Sequence, residues 1–237
     1  MKEQIYFALD FSGQKEAEQF IDANDLQGIP VKVGMELFYR EGPTFIETLK
    51  KNGHRIFLDL KLHDIPTTVN KAMKNIAGLD VDMITIHASG GSAMIQQAKE
   101  GLMAGASSGR PPKLIAVTML TSADAAVMNN ELKITGNVED HAVHLASLAH
   151  RNGADGVVSS VDEVPAIKKA CGSSLLAVTP GIRLKGVSAD DQKRPSTPSR
   201  ARENGADILV LGRTVRDAPD PAVAYNHVIE EWNNGNA

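Results

Sequence analysis

The chain has a single cysteine, Cys171, among its 237 residues. An intrachain disulfide and a cysteine-based metal cluster are therefore excluded. A lone thiol suits a reducing compartment. Basic excess is also missing: the net charge is −4, so no global positive surface exists to attract nucleic acid, and a small anion would have to be met by local cations. Long apolar runs are absent too. No stretch approaches the ~18 apolar residues of a membrane span, and the first run, residues 5–9, stops at Asp10, too short for a signal-peptide core. The expected location is the cytoplasm, with neither membrane nor nucleic acid as partner. What remains is 42% hydrophobic and 23% charged, ordinary for a soluble globular protein.

Short apolar runs rich in β-formers alternate with longer segments of helical pattern. The predicted strands are residues 5–9, 31–33, 55–60, 83–86, 114–117, 156–158, 175–178 and 208–211. Their continuous apolar character fits parallel strands covered on both faces. Predicted helices between them include 66–77, with Pro66 in its first turn, and 142–150. Such alternation gives a doubly wound sheet or a closed barrel. About eight units in a chain near the ~250 residues of one barrel favour a single (β/α)8 TIM barrel over residues 1–237. Asn52-Gly53, Asn152-Gly153 and Asn204-Gly205 each precede a predicted strand, where Gly can end a helix in the left-handed conformation. Asn-Gly is also a common turn, so this echo of a repeat is supportive only.

Polar residues collect at one end of these strands. Asp10, Lys32, Asp59 with Lys61, His87, Thr118 and Gly212-Arg213 all sit at or just past predicted strand C-termini, the rim where barrel enzymes build their sites. Asp59 and Lys61 are two apart on a strand, so both should face the barrel mouth while Leu60 faces the helices. Asp64 follows in the loop before Ile65-Pro66. A lysine between two carboxylates is favoured in its charged form, which suits a proton donor or electrostatic anchor better than an amine nucleophile. An Asp-x-Lys pair could equally be a salt bridge closing the barrel top. His63 is read as a loop histidine without a role.

Barrels often bind phosphate with the loops after strands seven and eight. Here these read Thr179-Pro180-Gly181-Ile182-Arg183 and Gly212-Arg213-Thr214. Glycine permits close backbone approach, and arginine offers a planar fork of donors matched to phosphate oxygens. Either loop alone could be a turn with a solvated arginine. Between them, residues 184–197 are long and polar, fitting either a lid that closes over substrate or a surface loop.

Taken together, these motifs resemble the orotidine 5′-monophosphate decarboxylase family. The likeness runs through Phe7-Ala8-Leu9-Asp10, Val31-Lys32-Val33-Gly34, Val117-Thr118-Met119-Leu120-Thr121-Ser122, Thr179-Pro180-Gly181-Ile182-Arg183, Asp191-Gln192-Lys193-Arg194 and Val210-Leu211-Gly212-Arg213. Its most specific stretch is Asp59-Leu60-Lys61-Leu62-His63-Asp64-Ile65-Pro66-Thr67-Thr68. Pro195 departs from the pattern, where an aliphatic residue is expected. The resemblance implies decarboxylation of orotidine 5′-monophosphate to UMP, with no metal and no cofactor. It implies that Lys61 protonates C6, that Asp59 lies near the substrate carboxylate and holds Lys61, and that Lys32 and Asp10 bind the ribose. It further implies a homodimer in which Asp64 and Thr68 reach the neighbour's site. Thr121 would contact the pyrimidine, Gln192 would bridge base and phosphate, and Arg183, Gly212 and Arg213 would hold the phosphate.

The chemistry agrees with that implication. A C6 carbanion has no conjugated sink, and no motif for thiamine diphosphate or a metal cluster is visible. Stabilisation must then come from a preorganised electrostatic site, which a fixed ammonium in a closed pocket can supply. Three rivals share features of the pattern. A Mg-dependent phosphosugar aldolase or decarboxylase of the same barrel group would use the carboxylates around a metal. A Schiff-base aldolase would need a neutral Lys61. A silent nucleotide-binding barrel would bind such ligands without turnover.

Overall fold

A computed structural model describes residues 4–107, 109–184 and 196–235. Eight parallel strands close into a barrel in sequence order: β1 (Ile5–Ala8), β2 (Val31–Gly34), β3 (Ile56–Leu62), β4 (Met83–His87), β5 (Lys113–Val117), β6 (Gly156–Val158), β7 (Leu176–Thr179) and β8 (Ile208–Leu211). β1 closes the ring by pairing with both β2 and β8. Helical segments separate successive strands, as the (β/α)8 reading expects.

The apolar runs are continuous because each strand is buried on both faces. Tyr6, Ala8, Phe57, Met83, Ile115, Val178, Ile208 and Val210 pack inside the barrel. The alternate residues, among them Phe7, Leu58, Leu60, Ile84, Ile86, Ala116, Leu209 and Leu211, join the layer between barrel and helices. Period-two alternation therefore decides which side chains can reach the barrel mouth.

Helix Pro66–Ala77 has the predicted bounds: extended Ile65 precedes Pro66, which takes the first helical turn. The predicted helix 142–150 is longer, Val138–Arg151. Its start is set by Asn137, whose side chain accepts from the Asp140 N–H at 2.7 Å, with Glu139 and Asp140 favoured in the first turn by the helix dipole. Gly53, Gly153 and Gly205 all have positive φ, so each Asn-Gly pair turns the chain into a strand. β3 runs two residues beyond its predicted end, to Leu62.

One helix pair is unusually close. Helix Gly91–Gly105 presents Gly101 and Gly105 to helix Pro66–Ala77, and a Cβ on either would overlap a backbone carbonyl, that of Asn70 or Lys74 respectively. Both glycines lie on one helical face, four residues apart, so backbone meets backbone.

Candidate active site

Three neighbouring strands carry a row of alternating charges at their C-terminal ends. Asp10 follows β1, Lys32 lies on β2, and Asp59 and Lys61 lie on β3. Lys61 Nζ donates to Asp59 Oδ2 at 2.8 Å. Lys32 Nζ stands 3.4 Å from that same oxygen and 3.5 Å from Asp10 Oδ1. Asp59 is only 8% exposed. Burial alone would raise its carboxyl pKa, but the ammoniums of Lys32 and Lys61, with hydrogen bonds from Lys61 and Thr85, outweigh it and hold the group below its ordinary value. Asp59 is thus an anion whose charge is spent on holding two cations in place.

The expected common facing of Asp59 and Lys61 is met by an irregular route. The pairing of β3 with β4 shifts between Leu58 and Leu62: Leu58 pairs with Ile84 and Leu62 with Ile86. Within that irregularity Lys61 has φ +50°, a conformation uncommon outside glycine. Its N–H donates to Thr85 Oγ1 at 2.8 Å, and Thr85 Oγ1 donates to Asp59 Oδ1 at 2.9 Å. Sequence reasoning passed over Thr85. The available signal was a hydroxyl at the inward register of β4, between inward Met83 and His87, in a strand otherwise apolar up to His87.

A cavity of about 180 Å³ opens on this row. Lys32, Asp59 and Lys61 form one side, while Val117 of β5, Val158 of β6, Val178 of β7 and Val210 of β8 form the other. Thr121, expected at the pyrimidine, lines the same cavity. Thr118 does not: it is buried and its hydroxyl donates to the Val158 carbonyl at 2.9 Å, so it caps a strand end. A larger hollow, about 450 Å³, lies at the opposite end of the barrel. Its lining includes the pairs Lys50–Asp80 and Arg55–Asp82, which clamp strand N-termini, and none of the expected site residues faces it. In the smaller cavity the convergent charges of Lys32, Asp59 and Lys61 meet an apolar wall, the usual make-up of a ligand site.

The two glycine-arginine loops come together, and Pro180 of the first lines that cavity while their arginines do not. Thr214 Oγ1 donates to the Ile182 carbonyl at 2.6 Å, tying the loop after β8 to the loop after β7. Arg183 is buried, with Nη1 donating to the same carbonyl at 3.0 Å. Arg183 and Arg213 line a separate hollow of about 630 Å³ together with Asp217. The Asp217 carboxyl is held low chiefly by its hydrogen bond from Arg216, with smaller contributions from Arg213 and Arg183. Gly212 links the two regions, since a Cβ there would sit 3.9 Å from Asp10 Oδ2. Gln192 and Pro195 lie outside the described residues.

Asp64 and Thr68 are exposed. Asp64 Oδ1 accepts from the Ile65 N–H at 2.6 Å, and no ion pair joins it to Lys61 of its own chain. His63, left without a role, lies against His87 with ring centroids 5.6 Å apart. Burial, then the neighbouring His63 and Lys61, push the His87 pKa down. Among the described residues no group of three or more His, Cys, Asp or Glu is placed to hold a metal ion, and no helix is long and apolar enough to cross a membrane.

Residues 3–228 match the family model described as orotidine 5′-phosphate decarboxylase / HUMPS family. An orotidine 5′-phosphate decarboxylase of Bacillus cytotoxicus is 48% identical over 233 residues, covering 98% of each chain. The solved structure of the orotidine 5′-phosphate decarboxylase of Lactobacillus acidophilus superposes with a TM-score of 0.87 at 40% identity, covering 98% of this chain and 99% of that one. That of an uncharacterized conserved protein from Geobacillus kaustophilus gives 0.85 at 44% identity, covering 97% and 100%. With the charged row, the barrel and the sequence likeness in agreement, the chain belongs to the orotidine 5′-phosphate decarboxylase / HUMPS family.

Proposed function

We propose that this chain decarboxylates orotidine 5′-monophosphate to UMP in pyrimidine synthesis, in the cytoplasm, as a single barrel domain that needs neither metal nor cofactor. The observation that carries this reading is the alternating row, with Lys61 Nζ 2.8 Å from an Asp59 carboxylate buried beneath an apolar-walled cavity. In the proposed step the C6–carboxylate bond breaks, CO2 departs, and the electron pair left on C6 takes a proton from Lys61. An ammonium already fixed by Asp59 needs no reorganisation as that charge develops. Asp59, beside the substrate carboxylate, orients Lys61, while Lys32 and Asp10 meet the ribose hydroxyls.

Thr121 would contact the pyrimidine, and Gln192 would bridge base and phosphate. The joined loops bearing Arg183, Gly212 and Arg213 would take the phosphate, whose binding energy could be used in the transition state at C6. The exposed positions of Asp64 and Thr68 suit a homodimer in which each site borrows them from the neighbour. The deciding experiment is an ultraviolet assay of orotidine 5′-monophosphate turnover in excess EDTA. Undiminished activity is expected. Complete loss on chelation, restored by Mg2+, would replace this reading with a metal-dependent reaction of the same family.

A further inference from the structure

The irregularity between β3 and β4 leaves one unusual junction. On β4 one residue separates Ile84 from Ile86, whereas on β3 three separate their partners Leu58 and Leu62. The extra length breaks the regular ladder, so the N–H of Lys61 meets a side chain in place of a strand carbonyl. Thr85 supplies that side chain. It is fully buried, and its one hydroxyl does two tasks at once. It accepts from the Lys61 N–H at 2.8 Å and donates to Asp59 Oδ1 at 2.9 Å.

Both consequences bear on the Lys61 ammonium. First, Lys61 occupies φ +50°, where a residue with a Cβ persists only if its surroundings hold it. The bond to Thr85 is such a hold, and it fixes where the lysine side chain starts. Second, Asp59 has two carboxylate oxygens with separate work. Oδ1 is occupied by Thr85, which turns Oδ2 toward Lys61 at 2.8 Å and Lys32 at 3.4 Å. Without the hydroxyl, the carboxylate could rotate about its terminal bond and the Lys61 backbone would lose a buried partner. The charged group and the root of the chain that carries it are thus aimed by one oxygen.

We infer that Thr85 is a positioning residue for decarboxylation, acting through both the Lys61 backbone and the Asp59 carboxylate to aim the Lys61 ammonium. This rests on the reading that Lys61 is the proton donor. Valine keeps the shape of threonine but has no hydroxyl, alanine removes bulk as well, and serine keeps the hydroxyl.

Steady-state turnover of orotidine 5′-monophosphate and binding of UMP are measured for Thr85→Val, Thr85→Ala and Thr85→Ser, with Lys61→Ala as reference. Thr85→Val and Thr85→Ala should lose kcat by about a hundredfold, the scale of a misplaced catalytic group, while KM and UMP binding stay close to those of the parent. Thr85→Ser should recover most of the kcat. A folded Val or Ala variant with parental kcat overturns the inference, as does a Ser variant as impaired as Val. If both hydroxyl-free variants fail to fold, Thr85 is structural and the inference falls. A Lys61→Ala protein of near-parental kcat is a different result: it removes the proton-donor reading itself, and with it any aiming role for Thr85.

Discussion

The ammonium of Lys32 lies 3.4 Å from Asp59 Oδ2, the oxygen that also receives the Lys61 ammonium at 2.8 Å. Two cations therefore share one carboxylate oxygen, and Lys32 also reaches Asp10 Oδ1 at 3.5 Å. Asp59 is the keystone of the row because it is a buried carboxylate in contact with both ammoniums, whereas Asp10 at the end is half exposed.

This arrangement makes stability depend on acid in a defined direction. Burial opposes ionisation of Asp59, yet Lys32, Lys61 and Thr85 together leave its folded pKa below the unfolded value. Its contribution is complete above the ordinary carboxylate range and is lost as pH falls through the folded pKa. Urea midpoints measured downward from about pH 6 should therefore drop more steeply below about pH 4 for the parent than for Asp59→Asn. Equal slopes for the two proteins would remove Asp59 as an acid-sensitive anchor.

Lys61→Ala is expected to lower kcat by at least about a thousandfold, the scale of removing a preorganised electrostatic group. UMP binding should change far less, because in the proposed mechanism the ammonium is required chiefly as charge develops at C6. A near-normal kcat with only a raised KM would make Lys61 a binding residue.

Asp64 tests the shared site. Lys61→Ala and Asp64→Ala homodimers should each be nearly inactive. Mixed in equal amounts with subunit exchange, half the dimers become hybrids holding one doubly altered site and one wholly parental site. Active sites should recover to roughly a quarter of the parental number by this symmetry. A mixture as inactive as its parents, despite proven exchange, would place Asp64 in its own chain's site.

Gly101→Ala should reveal the helix contact apart from catalysis. A methyl group there meets the Asn70 carbonyl, which belongs to backbone and cannot swing away. A loss of about 2 kcal/mol is expected from overpacking, read as a lower urea midpoint with kcat/KM unchanged. Undiminished stability would show that the two helices can separate without cost.

Much of this molecule was legible before its structure because burial writes a simple pattern. Strands covered on both faces read as apolar runs, and polar residues at their ends could be assigned to one rim. The bounds of helix Pro66–Ala77 were readable because Pro66 marks its first turn. Helix Val138–Arg151 was cut short because its start is signalled by Asn137, a side-chain cap lying before the apolar periodicity begins. Thr118 sits just past β5 as expected, but a strand-end position does not say whether its hydroxyl turns to a carbonyl or to a cavity. The inward register of Thr85 was readable within β4, but its bonds to Lys61 and Asp59 arise from the β3–β4 irregularity, a relation between strands. The separation of Arg183 and Arg213 from the main cavity is likewise a matter of side-chain direction, which loop composition does not encode.

The division of the cavity has a consequence for any ligand inside it. Its fixed charges come from β2 and β3, with Asp10 beyond β1 completing their row, and the valines opposite come from β5, β6, β7 and β8. A ligand in this space straddles a dielectric boundary, with a salt-like face on one side and a weakly polarisable one on the other. The valines bring no charge to screen the row, so its potential is strongest at the near edge of a ring and declines with distance toward the far edge. One edge of a flat molecule bound here would feel a potential that its opposite edge does not. Two atoms of one such ring would differ in potential through their distance from the charged row alone.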